Sequence, residues 1–163
     1  MRKLITLIAA VVTVMALSGV AQGRPGGFHE ADFKAELSGA EEVPPVETDT
    51  TGEAKFIVRG DAIDFELEID DADGILGAAG AHIHCAPAGQ NGPVVVFLAG
   101  QVPGGFDGTV ELKATVTEAN IVDPSCGETL AELVDSMRSG NTYVNVHSID
   151  HPAGEVRGQI EEA

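Results

Sequence analysis

Residues 63–69, Ile-Asp-Phe-Glu-Leu-Glu-Ile, alternate strictly between apolar and acidic side chains. Successive side chains of a β-strand point to opposite faces. Ile63, Phe65, Leu67 and Ile69 therefore share one face, and Asp64, Glu66, Glu68 and Asp70 share the other. A strand with one face on a core and one in water is the signature of an antiparallel sheet. The run at 54–58 alternates as well, and Arg59-Gly60-Asp61 between the two is a hairpin signal.

The rest of the chain reads in the same idiom. Phe33, Ala35 and Leu37 alternate with Lys34 and Glu36, giving a first strand. Residues 39–51 form a loop marked by Pro44-Pro45, and short strands follow at 81–84, 94–98, 109–116, 142–148 and 155–160. In the run 109–116, Val110, Leu112, Ala114 and Val116 are expected to face inward. One helix is expected from Cys126 to about Ser139, capped by Ser125 with Glu128, striped by Leu130, Leu133, Val134 and Met137, and ended by Gly140. About eight short strands with turn-rich connections and one helix predict a mainly β fold, an antiparallel β-sandwich.

The chain opens with Arg2 and Lys3, an apolar run to Leu17 and small residues up to Gly23. That is the pattern of a secretory signal peptide over 1–23, too short for a bilayer span of roughly 20 residues. Residues 24–31 are a flexible lead-in, and 32–163 form one domain. Losing Arg2 and Lys3 leaves seven basic residues against 26 acidic ones, a net charge of −19. Such a surface repels phosphate backbones and anionic membranes, so nucleic acid is excluded as a partner. No later segment is long and apolar enough to span a membrane.

Two cysteines, Cys85 and Cys126, remain in an exported chain, and an oxidising compartment pairs them. The alternative is that Cys85, beside His84, is a thiolate ligand.

The chemistry concentrates in Ala81-His82-Ile83-His84 and Tyr143-Val144-Asn145-Val146-His147. If Ile83, Val144 and Val146 face the core, His82, His84, Tyr143, Asn145 and His147 face away from it. Two histidines at i and i+2 lie about 7 Å apart at Cα. Both imidazoles then reach one ion at about 2.0–2.1 Å, with His147 as a third ligand. Three nitrogens and an open position favour Cu or Zn. His151, before Pro152, is a candidate fourth ligand, Asn145 and Glu155 are candidates to orient a ring, and His29 is uninvolved. The competing reading is structural: each ring hydrogen-bonds loop backbone around residues 87–93 and holds that Gly-rich turn against the sheet.

Five motifs in order carry a resemblance: Leu37-Ser38-Gly39-Ala40-Glu41-Glu42-Val43-Pro44-Pro45, Ala81-His82-Ile83-His84, Asn91-Gly92-Pro93-Val94-Val95, Tyr143-Val144-Asn145-Val146-His147 and Gly154-Glu155-Val156-Arg157-Gly158-Gln159. Together they resemble the CHRD domain, named for repeats in chordin and found also in small exported microbial proteins. The resemblance runs from about Phe33 to Ile160 and implies an extracytoplasmic β-sandwich, with little implied about activity. The His-x-His pair and the later Ala-Gly-x-x-Arg are also similar to copper–zinc superoxide dismutases. That similarity implies copper ligands at His82, His84 and His147 and an anion-guiding Arg157. No histidine lies between His84 and His147, where further ligands of that family would fall, so the similarity extends to a single-metal site only.

Other segments read as structure. Arg157 shares a strand face with Glu155 and is expected to pair with it. Glu41 to Pro45 is a rigid acidic loop that fixes a strand exit or meets a partner. Asp70-Asp71-Ala72-Asp73-Gly74 has calcium-loop character without the twelfth-position glutamate, and reads as a solvated acidic turn. No Gly-x-Ser-x-Gly nucleophile motif occurs, so hydrolase chemistry has no support. The reading is an exported, non-catalytic binding or structural module for an extracytoplasmic ligand or protein, holding one Cu or Zn ion. Its alternatives are a mononuclear copper protein with dismutase-like activity and an adhesion or matrix-interaction domain.

Overall fold

The computed structural model describes residues 32–163; the expected signal peptide, lead-in and His29 lie outside the described residues. The alternating runs form the expected hairpin, β2 (Thr51–Arg59) and β3 (Ala62–Ile75), turning through Gly60 at φ 64°. Register places Phe56 opposite Phe65 and Ala54 opposite Leu67, so the apolar sides of both strands fall on one face. Phe56, Ile63, Leu67 and Ile69 are almost fully buried, which is the hydrophobic reason the hairpin lies down on the core.

The remaining strands are β1 (Phe33–Ser38), β4 (Ala81–Cys85), β5 (Val94–Ala99), β6 (Phe106–Thr117), β7 (Thr142–Val146), β8 (Val156–Gln159) and the short β9 (Glu161–Glu162). Eight of them follow one another in one antiparallel sheet, in the order β5-β4-β7-β8-β1-β2-β3-β6, and β9 pairs with β1. A bridge from Ile121, just after β6, to Val96 on β5 draws the ends of the sheet together. The mainly β antiparallel fold with one helix is as expected, realised as a single sheet curled round its core.

Four local expectations are revised. Strand β3 runs past Ile69 to Ile75 through two register shifts against β6, with Asp71 at φ 52°. The acidic stretch 70–74 is thus the bulged end of a strand, tied by the Thr50 hydroxyl to the Asp71 carbonyl at 3.0 Å and by Gly74 N–H to Asp107 at 2.9 Å. On β6 only Val116 of the expected inward residues is buried; Val110 and Leu112 are half-buried and Ala114 is exposed, because β6 ends the sheet and pairs with β3 alone.

The helix α1 (Leu130–Arg138) starts later than expected. Residues 124–126 make a separate 3-10 turn capped by Asp123, and Gly127 at φ 126° stops it from propagating. The capping box is Thr129 with Glu132, not Ser125 with Glu128. The apolar stripe of Leu130, Leu133, Val134 and Met137 is buried as expected, and Gly140 follows the helix at φ 67°. Cys85 and Cys126 form a disulfide with a Cα separation of 5.5 Å, joining the end of β4 to the turn ahead of α1. No helix among the described residues is long and apolar enough to cross a membrane.

Candidate metal centre

Strand β4 lies between β5 and β7, and β7 between β4 and β8. Its inner side is aliphatic: Ile83, Val144 and Val146 are at most 1% exposed. Register sets His82 opposite Asn145 and His84 opposite Tyr143, then Asn145 opposite Arg157 and Tyr143 opposite Gln159. The outer side of these three strands is therefore polar, as the alternation requires. It is not open to water. Every residue of β7 is buried, because loops cross above it.

Those loops arrive with hydrogen bonds to the polar face. Asn145 Nδ2 donates to Glu42 at 2.5 Å, and the Thr48 hydroxyl donates to Glu155 at 2.5 Å. Arg157 donates to the Asn91 side chain at 3.0 Å and the Gln90 carbonyl at 2.6 Å, while Asn91 Nδ2 reaches the Val43 carbonyl at 2.9 Å. The five motifs, far apart in the chain, meet in this one layer.

His82, His84 and His147 come together in it. One ring nitrogen from each lies within 4.8 Å of the other two. His84 Nδ1 is 2.9 Å from the Gly92 carbonyl, and His147 Nδ1 is 3.1 Å from the Pro152 carbonyl. A carbonyl only accepts, so each of these rings carries its proton on Nδ1 and turns an Nε2 lone pair towards the layer; in His147 that lone pair accepts from His82 Nδ1. His82 Nδ1 stands 3.1 Å from His147 Nε2. The Nε2 atoms of His82 and His84 are buried and make no hydrogen bond. Two orphaned imidazole nitrogens in one layer are unusual, since buried polar atoms ordinarily find partners.

The rings are also held neutral. Burial, then the like charges of His147 and His84, lower the pKa of His82 to about 4; the Ala79 backbone opposes this weakly, short of hydrogen-bond geometry. Burial lowers His84 as well, against the Gly92 bond, and lowers His147 against the Pro152 bond. Neutral imidazole is the ligand form. The structural expectation holds for His84 alone, whose Nδ1 anchors the 86–93 turn. His147 anchors Pro152 instead and His82 bonds His147, while the Nε2 atoms of His82 and His84 are left over.

Arg157 does not pair with Glu155. It is 2% exposed, lies 3.4 Å above the Tyr143 ring, and spends its guanidinium on the 86–93 turn. Tyr143 stacks in turn on His84 at 4.8 Å, and Phe97 stands edge-on to His82 at 4.8 Å. Glu155 is committed to Thr48 and Ser148. His151 sits outside the group of three, half-exposed, with Nε2 4.0 Å from Glu155. Cys85 is held in the disulfide and is no thiolate.

Two residues escaped the sequence reading. Glu42 belongs to a loop read as a rigid, acidic strand exit or partner contact, with no place in the site, yet it is 7% exposed and bonded to Asn145. Gly92 supplies the carbonyl that fixes His84, and a Cβ there would stand 1.9 Å from the Cys85 carbonyl oxygen. Periodicity flags neither, since both lie in loops; their membership of the five motifs was the available signal.

The family model for the CHRD domain matches residues 33–160. The chain belongs to the CHRD domain family. No curated protein and no solved structure matches it.

Proposed function

We propose that this CHRD-family protein is an exported, non-catalytic module that holds one transition-metal ion, copper or zinc, on His82, His84 and His147. The observation that carries the reading is the trio of neutral imidazoles within 4.8 Å, two of them with Nδ1 spent on backbone carbonyls. Ligating histidines characteristically donate their second nitrogen in this way, which orients the ring and raises its basicity. A set of nitrogens without a protein thiolate suits Cu(II) or Zn(II). Export is supported by the basic and apolar N-terminal pattern and by the disulfide, which persists in oxidising compartments. A non-catalytic role is supported by the burial of His82 and His147 and by Arg157, whose donors face the 86–93 turn and are not offered to an incoming anion. The partner is an extracytoplasmic ligand or protein.

Loading purified protein lacking residues 1–23 with Cu(II) or Zn(II), then removing excess metal, tests the reading by elemental analysis. One equivalent should remain, and the His82→Ala/His84→Ala variant should lose it. Metal retained by that variant would dismiss the ligand set. Superoxide consumption by the loaded protein would replace the non-catalytic reading with the dismutase-like one.

A further inference from the structure

We infer that Glu42 makes the three-histidine position a site for a divalent ion in preference to a monovalent one, by supplying a buried negative charge. The inference rests on the metal reading above and deepens it to a class of ion.

Three neutral imidazoles bring no charge to an ion, and a buried charge without compensation is costly. Arg157, 2% exposed on the same face, already adds a positive charge there. The buried carboxyls above this face are Glu155 and Glu42, at 4% and 7% exposure. Glu155 is occupied by Thr48 and Ser148. Glu42 takes a single side-chain bond, 2.5 Å from Asn145 Nδ2. Asn145 lies opposite His82 and two residues before His147, so one hydrogen bond and one cross-strand pair link the carboxyl to the histidine layer.

The fold keeps a slot for it. A Cβ on Gly154 would stand 2.6 and 2.8 Å from the two Glu42 oxygens, and the φ of 140° there favours glycine. Burial raises the Glu42 pKa above the ordinary carboxylate range, while Asn145 and the charge of Arg157 pull it down. A dication in the layer pulls the same way and more strongly than a monocation, since the attraction scales with its charge.

The test measures Zn(II) and Cu(I) affinities by chelator competition, without oxygen for Cu(I), in wild type and three variants. Glu42→Gln keeps an oxygen for Asn145 and removes the charge; Zn(II) affinity should fall about tenfold relative to Cu(I). Glu42→Asp keeps the charge and should keep the wild-type ratio. Glu68→Gln removes an exposed charge from β3 and should leave the ratio alone. An unchanged ratio in Glu42→Gln, an equal loss in Glu42→Asp, or the same shift in Glu68→Gln overturns the inference. A wild type that binds neither ion refutes the three-histidine site itself, and this inference with it.

Discussion

His82 couples the histidine layer to stability against acid. Its ring titrates near 6.5 in the unfolded chain and at about 4 in the fold, because burial and the neighbouring imidazoles oppose a charge there. The unfolded state therefore takes up the proton first. Stability from the neutral ring is fully present above pH 6.5 and drains away as pH falls from 6.5 towards 4. A separation of two to three pKa units makes the full effect about 3 kcal/mol. Integrating both titrations from pH 7 to pH 5 gives a loss of about 2 kcal/mol from this one residue. The comparison is wild type against His82→Asn, both stripped of metal, in urea unfolding at pH 7, 6 and 5. Wild type should lose about 2 kcal/mol more than the variant over that range. Glu42 works in the opposite sense, since its raised pKa favours the fold as acid is added, but it is common to both proteins and cancels. Equal losses would show that His82 is not held neutral by its surroundings, and the electrostatic account of the site would fall.

Removing the disulfide in a Cys85→Ala/Cys126→Ala variant releases a loop spanning 41 positions and should lower unfolding free energy by about 4 kcal/mol, read from urea curves with midpoint and slope both fitted, since the freed unfolded chain exposes more surface. Gly92→Ala drives a Cβ into the Cys85 carbonyl and displaces the acceptor of His84; it should cost about 3 kcal/mol and weaken metal retention together. Arg157→Lys cannot reproduce the fork that reaches both Asn91 and Gln90, and should destabilise by about 2–3 kcal/mol while exposing the 86–93 turn to proteolysis. A Glu132→Ala change removes half of the Thr129 capping box and should lower the melting temperature, visible in the melting curve.

Strand identity and facing were readable in advance because they are local. Alternation at 63–69 placed Ile63 and Leu67 inside, and the same rule set His82 and His84 opposite Ile83. The cysteine pairing followed from there being two cysteines in a chain read as exported. The helix start was misplaced because two capping patterns compete between residues 125 and 132; Gly127, turned to positive φ, decides between them. Asp70 to Gly74 looked like a turn because a bulge breaks the very alternation by which strands are recognised.

Sequence by itself determined which face of β4 carries imidazoles and which face of β7, just ahead of His147, is polar, since the side-chain period of a strand is a property of its backbone. It also determined the acidity of the surface and the apolar set that makes the core. Tertiary structure alone decided that His147 reaches His82 across 65 positions, that the polar face is roofed, and that Glu42 turns inward while Arg157 is spent on a loop. Strand order and loop closure settle those questions, because burial and charge pairing arise between segments that no local pattern relates. The same roof that hides the histidines from water also withholds hydrogen-bond partners from two of their nitrogens.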